Sequence, residues 1–367
     1  NMTLVLYRKY RPQTFSEVTG QEHIIQTLTN AISLGLISHA YLFSGPRGSG
    51  KTSVARLLAK SLNCQNRKKV EYEPCNKCSS CMEINQGSSI DLIEIDAASN
   101  RGIDEITELR DGIKFAPAKS KYRIFIIDEA HQLTKEAANA LLKTLEEPPP
   151  HAIFILATTE IHKMIPTVVS RCQRFDFRKL KISEITKQLE EISKKEGVRA
   201  EKEALVLIAE NSQGSSRDAI SMLDQAITFC TGEGDKEITA KEVKELLGLV
   251  EIKVISDFVD YLKNKDAKGA INFLNEIYEK GTDLEVFSRG LINYLRKIFV
   301  LRLTNQALTD DLTQEEFQKL QTQTAAFKES EISNIIKIFL KAQNEMKYSP
   351  IAQLPLELAI VESLQEK

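Results

Sequence analysis

The stretch Gly45-Pro46-Arg47-Gly48-Ser49-Gly50-Lys51-Thr52 decides the fold because of what stands on either side of it. Before it lies the short apolar run Ala40-Tyr41-Leu42-Phe43. After it, Val54, Leu57, Leu58 and Leu62 recur with helical spacing. A glycine-rich turn can match this spacing by chance, but strand, turn and helix together form the context in which it wraps phosphate. The glycines let backbone N–H groups close around phosphate oxygens, and the helix N-terminus adds its dipole. Lys51 is expected to reach the β and γ phosphates and the Thr52 hydroxyl to ligate Mg²⁺. Gly45, Arg47, Gly48, Ser49, Gly50 and Ser53 complete the expected cradle for ATP.

A second motif supplies what the loop lacks. Arg123-Ile124-Phe125-Ile126-Ile127-Asp128-Glu129 reads as a buried strand that delivers two carboxylates at its C-terminal end, where α/β sheets bind ligands. Asp128 suits the magnesium, and Glu129 suits orienting and deprotonating an attacking water. Two solvated carboxylates at a strand end is the plainer reading, and the phosphate loop argues against it. The pair implies hydrolysis as well as nucleotide binding.

Further apolar runs, Leu92–Ile95 and Ile153–Ala157, alternate with helical segments carrying Ile103, Ile106, Leu109 and Ile113, or Ala138, Leu141, Leu142 and Leu145. That alternation predicts an open parallel sheet covered on both faces. After about Phe177 the strands are expected to stop. Ile182, Ile185, Leu189 and Ile192 keep helical spacing, as do Leu205, Ile208 and Ala209, until Gly232-Glu233-Gly234-Asp235. From about residue 248 the pattern is helical to the end. Three domains are therefore expected, at 1–178, 179–243 and 244–367, consistent with a length of 367 residues.

Charge nearly cancels, with 49 basic and 51 acidic residues and a net of −2, so a wholly cationic coat for nucleic acid is excluded. At 42% apolar residues the composition suits packed cores and not a disordered chain. No apolar run approaches the roughly 20 residues of a membrane span, and no secretory signal pattern opens the sequence. The expectation is a cytoplasmic protein without a membrane partner.

Four of the six cysteines are spaced Cys64-x10-Cys75-x2-Cys78-x2-Cys81. Four thiolates suit tetrahedral zinc in a closed, structural insertion at about 64–81. The triplet also resembles part of an iron–sulfur pattern, without its further cysteine and proline. The five histidines, His23, His39, His131, His151 and His162, show no metal spacing and read as structural or solvated.

Taken together, these motifs resemble the bacterial clamp-loader AAA+ ATPases, the gamma/tau subunits of DNA polymerase III. The resemblance runs over essentially the whole chain. It includes Tyr7-Arg8-Lys9-Tyr10-Arg11-Pro12-Gln13-Thr14-Phe15, Val18-Thr19-Gly20-Gln21-Glu22, Leu141-Leu142-Lys143-Thr144-Leu145-Glu146-Glu147-Pro148-Pro149, Ser170-Arg171-Cys172 and the cysteine insertion. It implies a P-loop α/β domain with a zinc insertion, a small helical lid and an all-α collar. Tyr7, Arg8, Arg11, Pro12 and Val18 would enclose the adenine. Thr159 would be a polar sensor near the γ-phosphate, where many AAA+ proteins use asparagine. Arg171 would be an arginine finger for a neighbouring subunit, and Arg217 a second sensor carried by the lid.

The resemblance further implies a motor that opens a sliding clamp and loads it onto primer–template DNA, hydrolysis triggering release. Implied partners are delta and delta-prime type subunits, copies of the chain itself, a beta-type clamp, and primer–template DNA. Polymerase core and helicase would bind through a segment beyond Lys367. For DNA phosphates, Arg101 and Lys135 near helix starts are candidates. The basic stretches Lys114–Arg123 and Arg171–Lys181 read first as solvated faces. A non-hydrolysing structural subunit is one rival, opposed by intact Lys51, Thr52 and Glu129. Another AAA+ DNA-remodelling ATPase is a second, opposed by the cysteine module and the third domain.

Overall fold

The computed structural model describes residues 5–68, 70–99, 112–113, 115–230, 237–304 and 313–365. Arg101, Ile103, Ile106, Leu109, Lys114 and the stretch Gly232–Asp235 lie outside the described residues. The chain divides into compact units at 1–240 and 241–367.

In the first unit a five-stranded, all-parallel sheet has the order β2-β3-β4-β1-β5. The strands are β1 (Ala40–Ser44), β2 (Leu92–Asp96), β3 (Arg123–Asp128), β4 (Ala152–Thr158) and β5 (Gln173–Asp176). Every residue of β1 and β4 is buried, which explains their unbroken apolar runs. Alternate side chains still serve different faces. Tyr41, Phe43, Ile124, Ile126, Ile153 and Ile155 join one core, while Leu42, Phe125, Ile127, Phe154 and Leu156 join the other. Phe125 and Phe154 stack across neighbouring strands with ring centroids 5.2 Å apart.

The helices of this part are α1 (Leu6–Lys9), α2 (Glu22–Leu34), α3 (Lys51–Leu62), α4 (Ser79–Gln86), α5 (Lys135–Glu146) and α6 (Pro166–Val169). Helix α3 springs directly from the glycine-rich loop and buries Val54, Leu57, Leu58 and Leu62 under the sheet. The edge strand β5 falls in a stretch that reads by charge as a solvated face. Within it Phe175 is buried and Gln173, Arg174 and Asp176 are exposed, so a single apolar residue carries too little period to announce a strand.

The lid helices are α7 (Ile182–Glu196), α8 (Lys202–Asn211) and α9 (Ser216–Cys230). Ile185, Leu189 and Ile192 are buried as their spacing predicts, but Ile182, in the first turn, is 47% exposed. The expectation that strands end near Phe177 is corrected by a two-residue parallel pair, β6 (Arg199–Ala200) with β7 (Glu237–Ile238). Segments of two residues carry no readable periodicity.

Glu184 fastens the start of this lid. Arg178 donates from Nη1 to Oε2 at 2.9 Å and from Nη2 to Oε1 at 2.6 Å, and the Lys181 amide adds a bond at 2.8 Å. The Arg178 guanidinium, with the amide assisting, holds the Glu184 carboxyl down at about 2 against an ordinary 4.5. A depressed folded-state pKa gives stability present above the unfolded value and lost as pH falls through the folded one. The wild type should therefore exceed Glu184→Gln in stability above pH 4.5, and the gap should close as pH falls towards about 2. Denaturant titrations at successive pH values check this; a gap independent of pH would contradict it.

The second unit continues with α10 (Ala240–Leu246), which straddles the division, and then α11 (Ile252–Lys263), α12 (Ala267–Glu279), α13 (Leu284–Thr304), α14 (Gln314–Ala326), α15 (Glu329–Met346) and α16 (Leu354–Leu364). Its core gathers Phe258, Leu274, Phe287, Leu291, Leu295 and Phe339. Within it Tyr294 Oη donates to Gln323 Oε1 at 2.8 Å, and Gln323 Nε2 donates to Ser256 O and Asp260 Oδ1, both at 2.8 Å. Burial raises the Tyr294 pKa. Leu291 and Leu295 are core residues, Phe299 is partly buried and Leu303 is 48% exposed, so one helix face serves both inside and outside. Among the described residues, no helix is long and apolar enough to cross a membrane.

Candidate active site

β1 lies between β4 and β5: the chain leaves it for β2 at one edge of the sheet and later passes it from β4 to β5 at the other, so the strand order reverses beside the glycine-rich loop. Such switch points open a crevice at the C-terminal ends of the strands. Gly48 and Gly50 hold φ of +71° and +98°, a backbone region that L side chains avoid. At Gly48 a Cβ would also overlap Ser215 Oγ, so the loop and the lid meet with no room to spare.

Lys51 is 5% exposed, and its ammonium donates to the carbonyls of Gly45 at 2.7 Å and Pro46 at 2.8 Å. Burial lowers its pKa, and the carboxylates of Glu129 and Asp128 work against that. Thr52 Oγ1 donates to Asp128 Oδ2 at 2.7 Å, which joins the loop to the second motif. A hydroxyl and a carboxylate so placed are hard oxygen donors, the kind that suits Mg²⁺.

Glu129 takes an unusual backbone conformation for a side-chain residue, φ +48°. Its Oε2 accepts from Thr159 Oγ1 at 2.8 Å, one residue past the end of β4. Strain of this kind costs about 1–3 kcal/mol and needs its surroundings to hold it. His131, whose side chain is 6% exposed, stands beside the pair with Nδ1 3.0 Å from Thr158 Oγ1 and 3.4 Å from Glu129 Oε2. Glu129 is a neighbour in the chain, but Thr158 comes from β4, and only the sheet order brings it to His131, so spacing alone does not single the histidine out.

The crevice is lined by Tyr7, Tyr10, Arg11, Pro12 and Val18 from the N-terminal stretch, by Arg47 to Ser53, by Asp128 and Glu129, and by Arg217. The guanidinium of Arg217 lies 4.7 Å from the Tyr7 ring centroid. Arg8 and Arg217 together hold the Tyr7 hydroxyl below its ordinary pKa. Burial lowers the pKa of Arg11, and the neighbouring Arg56 acts in the same direction. Four cationic side chains, Arg11, Arg47, Lys51 and Arg217, thus face one crevice, as a polyphosphate requires.

Other predicted residues fall elsewhere among the described residues. Gly45, Arg8 and Thr159 are not among the lining residues, but each touches one: Gly45 O accepts from Lys51, Arg8 lies 5.9 Å from the Tyr7 ring centroid, and Thr159 donates to Glu129. Arg171 lies apart, donating to Thr167 O at 2.7 Å and pairing with Glu146 at 2.6 Å. Lys135 is exposed at the N-terminus of α5, where Thr134 caps the helix. Leu180, Gln188, Ser216 and Ile220 line the crevice without having been singled out. Leu180 and Ile220 carry core-like character, so only the lid's closeness to the loop reveals them.

The four predicted ligand sulfurs of Cys64, Cys75, Cys78 and Cys81 lie within 4.8 Å of one another. Bonds of about 2.3 Å to one tetrahedral ion would place them about 3.8 Å apart. An iron–sulfur cluster spreads its thiolates over separate irons, which needs wider spacing. Burial pushes the Cys64 and Cys81 thiols up. Burial acts likewise at Cys75, but amides of Lys77 and Cys78 pointing at its sulfur bring it to about 6. Donor set and spacing fit one zinc. Helix α4 begins within the module at Ser79 and runs five residues past Cys81, in a stretch too polar to suggest it.

Comparison with known proteins follows the same divisions. The family model "DNA polymerase III, delta subunit" matches residues 20–181. "DNA polymerase III clamp loader subunit, ATPase lid domain" matches 184–232, and "DNA polymerase III subunits gamma and tau domain III" matches 238–365. The chain is 42% identical over 363 residues to DNA polymerase III subunit tau of Bacillus subtilis, covering 98% of this chain and 63% of that one. It is 37% identical over 357 residues to DNA polymerase III subunit gamma of Buchnera aphidicola from Acyrthosiphon pisum, covering 97% of each. The chain thus spans somewhat under two thirds of the tau relatives and nearly all of the gamma one. Among solved structures, the Thermotoga maritima RuvB Holliday junction branch migration motor aligns with a TM-score of 0.50 at 17% identity, over 69% of this chain and 79% of that one. That likeness concerns the AAA+ fold alone.

Proposed function

The chain belongs to the gamma/tau family of DNA polymerase III subunits, and from that premise we propose that it is an ATP-driven motor subunit of a replicative clamp loader. The observation that carries the proposal is the chain of contacts at the loop: Thr52 to Asp128, and Thr159 to Glu129 beside it. A purely structural subunit has no need to hold a strained carboxylate next to a phosphate cradle.

In this reading the nucleotide-binding domain is 1–178, the lid 179–243 and the collar 244–367. Gly45 to Ser53 hold the triphosphate, and Lys51 leaves the loop's own carbonyls for the β and γ phosphates. Tyr7, Arg8, Arg11, Pro12 and Val18 enclose the base. Thr52 and Asp128 hold magnesium, which when bound offsets charge on the phosphates. Glu129 takes the proton of the attacking water, and Thr159 Oγ1 donates to Glu129 Oε2 until the γ-phosphate offers the threonine another partner. Arg217 moves from Tyr7 towards the γ-phosphate, so nucleotide state sets the lid angle. Cys64, Cys75, Cys78 and Cys81 hold a structural zinc.

Partners in this reading are delta and delta-prime type subunits, further copies of the chain, a beta-type clamp and primer–template DNA, in the cytoplasm. Lys135, exposed at a helix N-terminus, is a phosphate contact, and Arg101 is proposed with it from sequence alone. Transfer of a labelled clamp onto circular primed DNA tests the function. Transfer should require ATP and this chain together and be abolished by Lys51→Ala; transfer without ATP, or undiminished in the variant, would contradict it.

A further inference from the structure

The cysteine module grips the chain at a place that belongs to the wall of the nucleotide crevice. Pro12 and Val18 both line the crevice, and Gln13–Glu17 is the short stretch between them. Glu73, two residues before Cys75, accepts from the Phe15 amide at 2.8 Å and from the Ser16 amide at 2.9 Å. Asn76, the residue after Cys75, donates from Nδ2 to Gln13 O at 3.1 Å. Backbone hydrogen bonds to a carboxylate are charge-assisted, and so shorter and stronger than neutral ones.

A third tie comes from the phosphate-loop helix. Lys60, 2% exposed near the end of α3, donates to Gln13 Oε1 at 2.8 Å and to Asn85 Oδ1 in α4 at 2.9 Å. One buried ammonium thus joins the loop's helix, the crevice wall and the module. Burial disfavours its charge, while Cys81, Glu17, Glu73 and Cys64 favour it. With a divalent ion held there, four thiolates would keep a net negative charge and supply this buried cation with a counter-charge.

We propose that the cysteine module is a positioning element for the nucleotide crevice, with Glu73 as the residue through which it acts and Lys60 as its brace. The module fixes Gln13–Ser16 and so sets the base-enclosing residues on either side. The proposal rests on the reading of the crevice as an ATP site. A wall that must be ordered on binding costs affinity, whereas the phosphate end, built by Lys51, Asp128 and Glu129, is left intact. Loss of the module's hold should therefore appear in nucleotide affinity and not in the turnover of bound ATP.

The test uses the full zinc-loaded chain, a fluorescent ATP analogue for affinity, atomic emission for zinc content, and kcat at saturating ATP. Glu73→Ala should weaken analogue binding about tenfold, keep one zinc per chain and leave kcat within about twofold. Ser16→Pro, which removes one of the two amide donors without altering the module, should weaken binding in the same direction. Chelating the zinc from the wild type should cost about tenfold, and chelating it from Glu73→Ala should cost clearly less, because the principal link is already broken and only those through Asn76 and Lys60 are left to lose. Unchanged binding in both variants, or an equal loss on chelation in wild type and Glu73→Ala, would overturn the proposal. A wild type that binds no analogue would instead overturn the ATP reading beneath it.

Discussion

Arg171→Ala should lower ATP hydrolysis by the assembled loader about 10³-fold while leaving ATP binding by the isolated chain unchanged. Arg171 follows α6, a single turn opened by Pro166, and its guanidinium is held by Thr167 O and Glu146. It is not among the described residues that line its own crevice. Its pair with Glu146 is partly exposed, at 32% and 50% for the two side chains, and pairs of this kind contribute about 0–1 kcal/mol. Folding therefore gives no strong reason for the arginine. Delivered to a neighbour's γ-phosphate, the same guanidinium would stabilise charge that develops only in the transition state. Steady-state hydrolysis with partner subunits, clamp and primed DNA, compared with nucleotide affinity of the chain alone, separates the two roles. A change of only about twofold in the assembled rate would make Arg171 a surface ion pair and nothing more.

Glu129→Gln should trap ATP: binding retained, hydrolysis reduced by about 10²–10⁴-fold. The amide keeps the carboxylate's shape and can still accept from Thr159, so the local backbone at φ +48° has the same support. What it loses is the ability to take a proton. Lys51→Ala should differ in kind, since removal of a buried ammonium from the phosphate cradle removes binding itself. Single-turnover hydrolysis together with equilibrium binding distinguishes them. Equal losses of binding in both variants would deny Glu129 its role as base.

The site was legible where chemistry is local in the chain. The phosphate loop, the carboxylate pair and the cysteine spacing each lie in one short stretch, and in the structure Thr52 Oγ1 donates to Asp128 Oδ2, which joins the first two. Contacts that depend on sheet order were not legible. His131 reads as an ordinary histidine until β4 places Thr158 against it. Glu73 reads as one acid in a polar excursion until the module folds onto Phe15 and Ser16. Strand β5 failed for a different reason, because as an edge strand it buries Phe175 alone. In the second unit, helical spacing alone does not divide α13 between interior and surface: Leu295 is buried and Leu303, eight residues on along the same face, is 48% exposed.

The measurement that tests the account most directly is ATP hydrolysis by this chain with delta and delta-prime type subunits, with clamp and primed DNA added singly and together. The account predicts a rate that rises strongly only when clamp and DNA are both present, because together they align neighbouring subunits. A rate indifferent to clamp and DNA with every partner present would contradict it, leaving an AAA+ ATPase whose hydrolysis is not tied to loading a clamp.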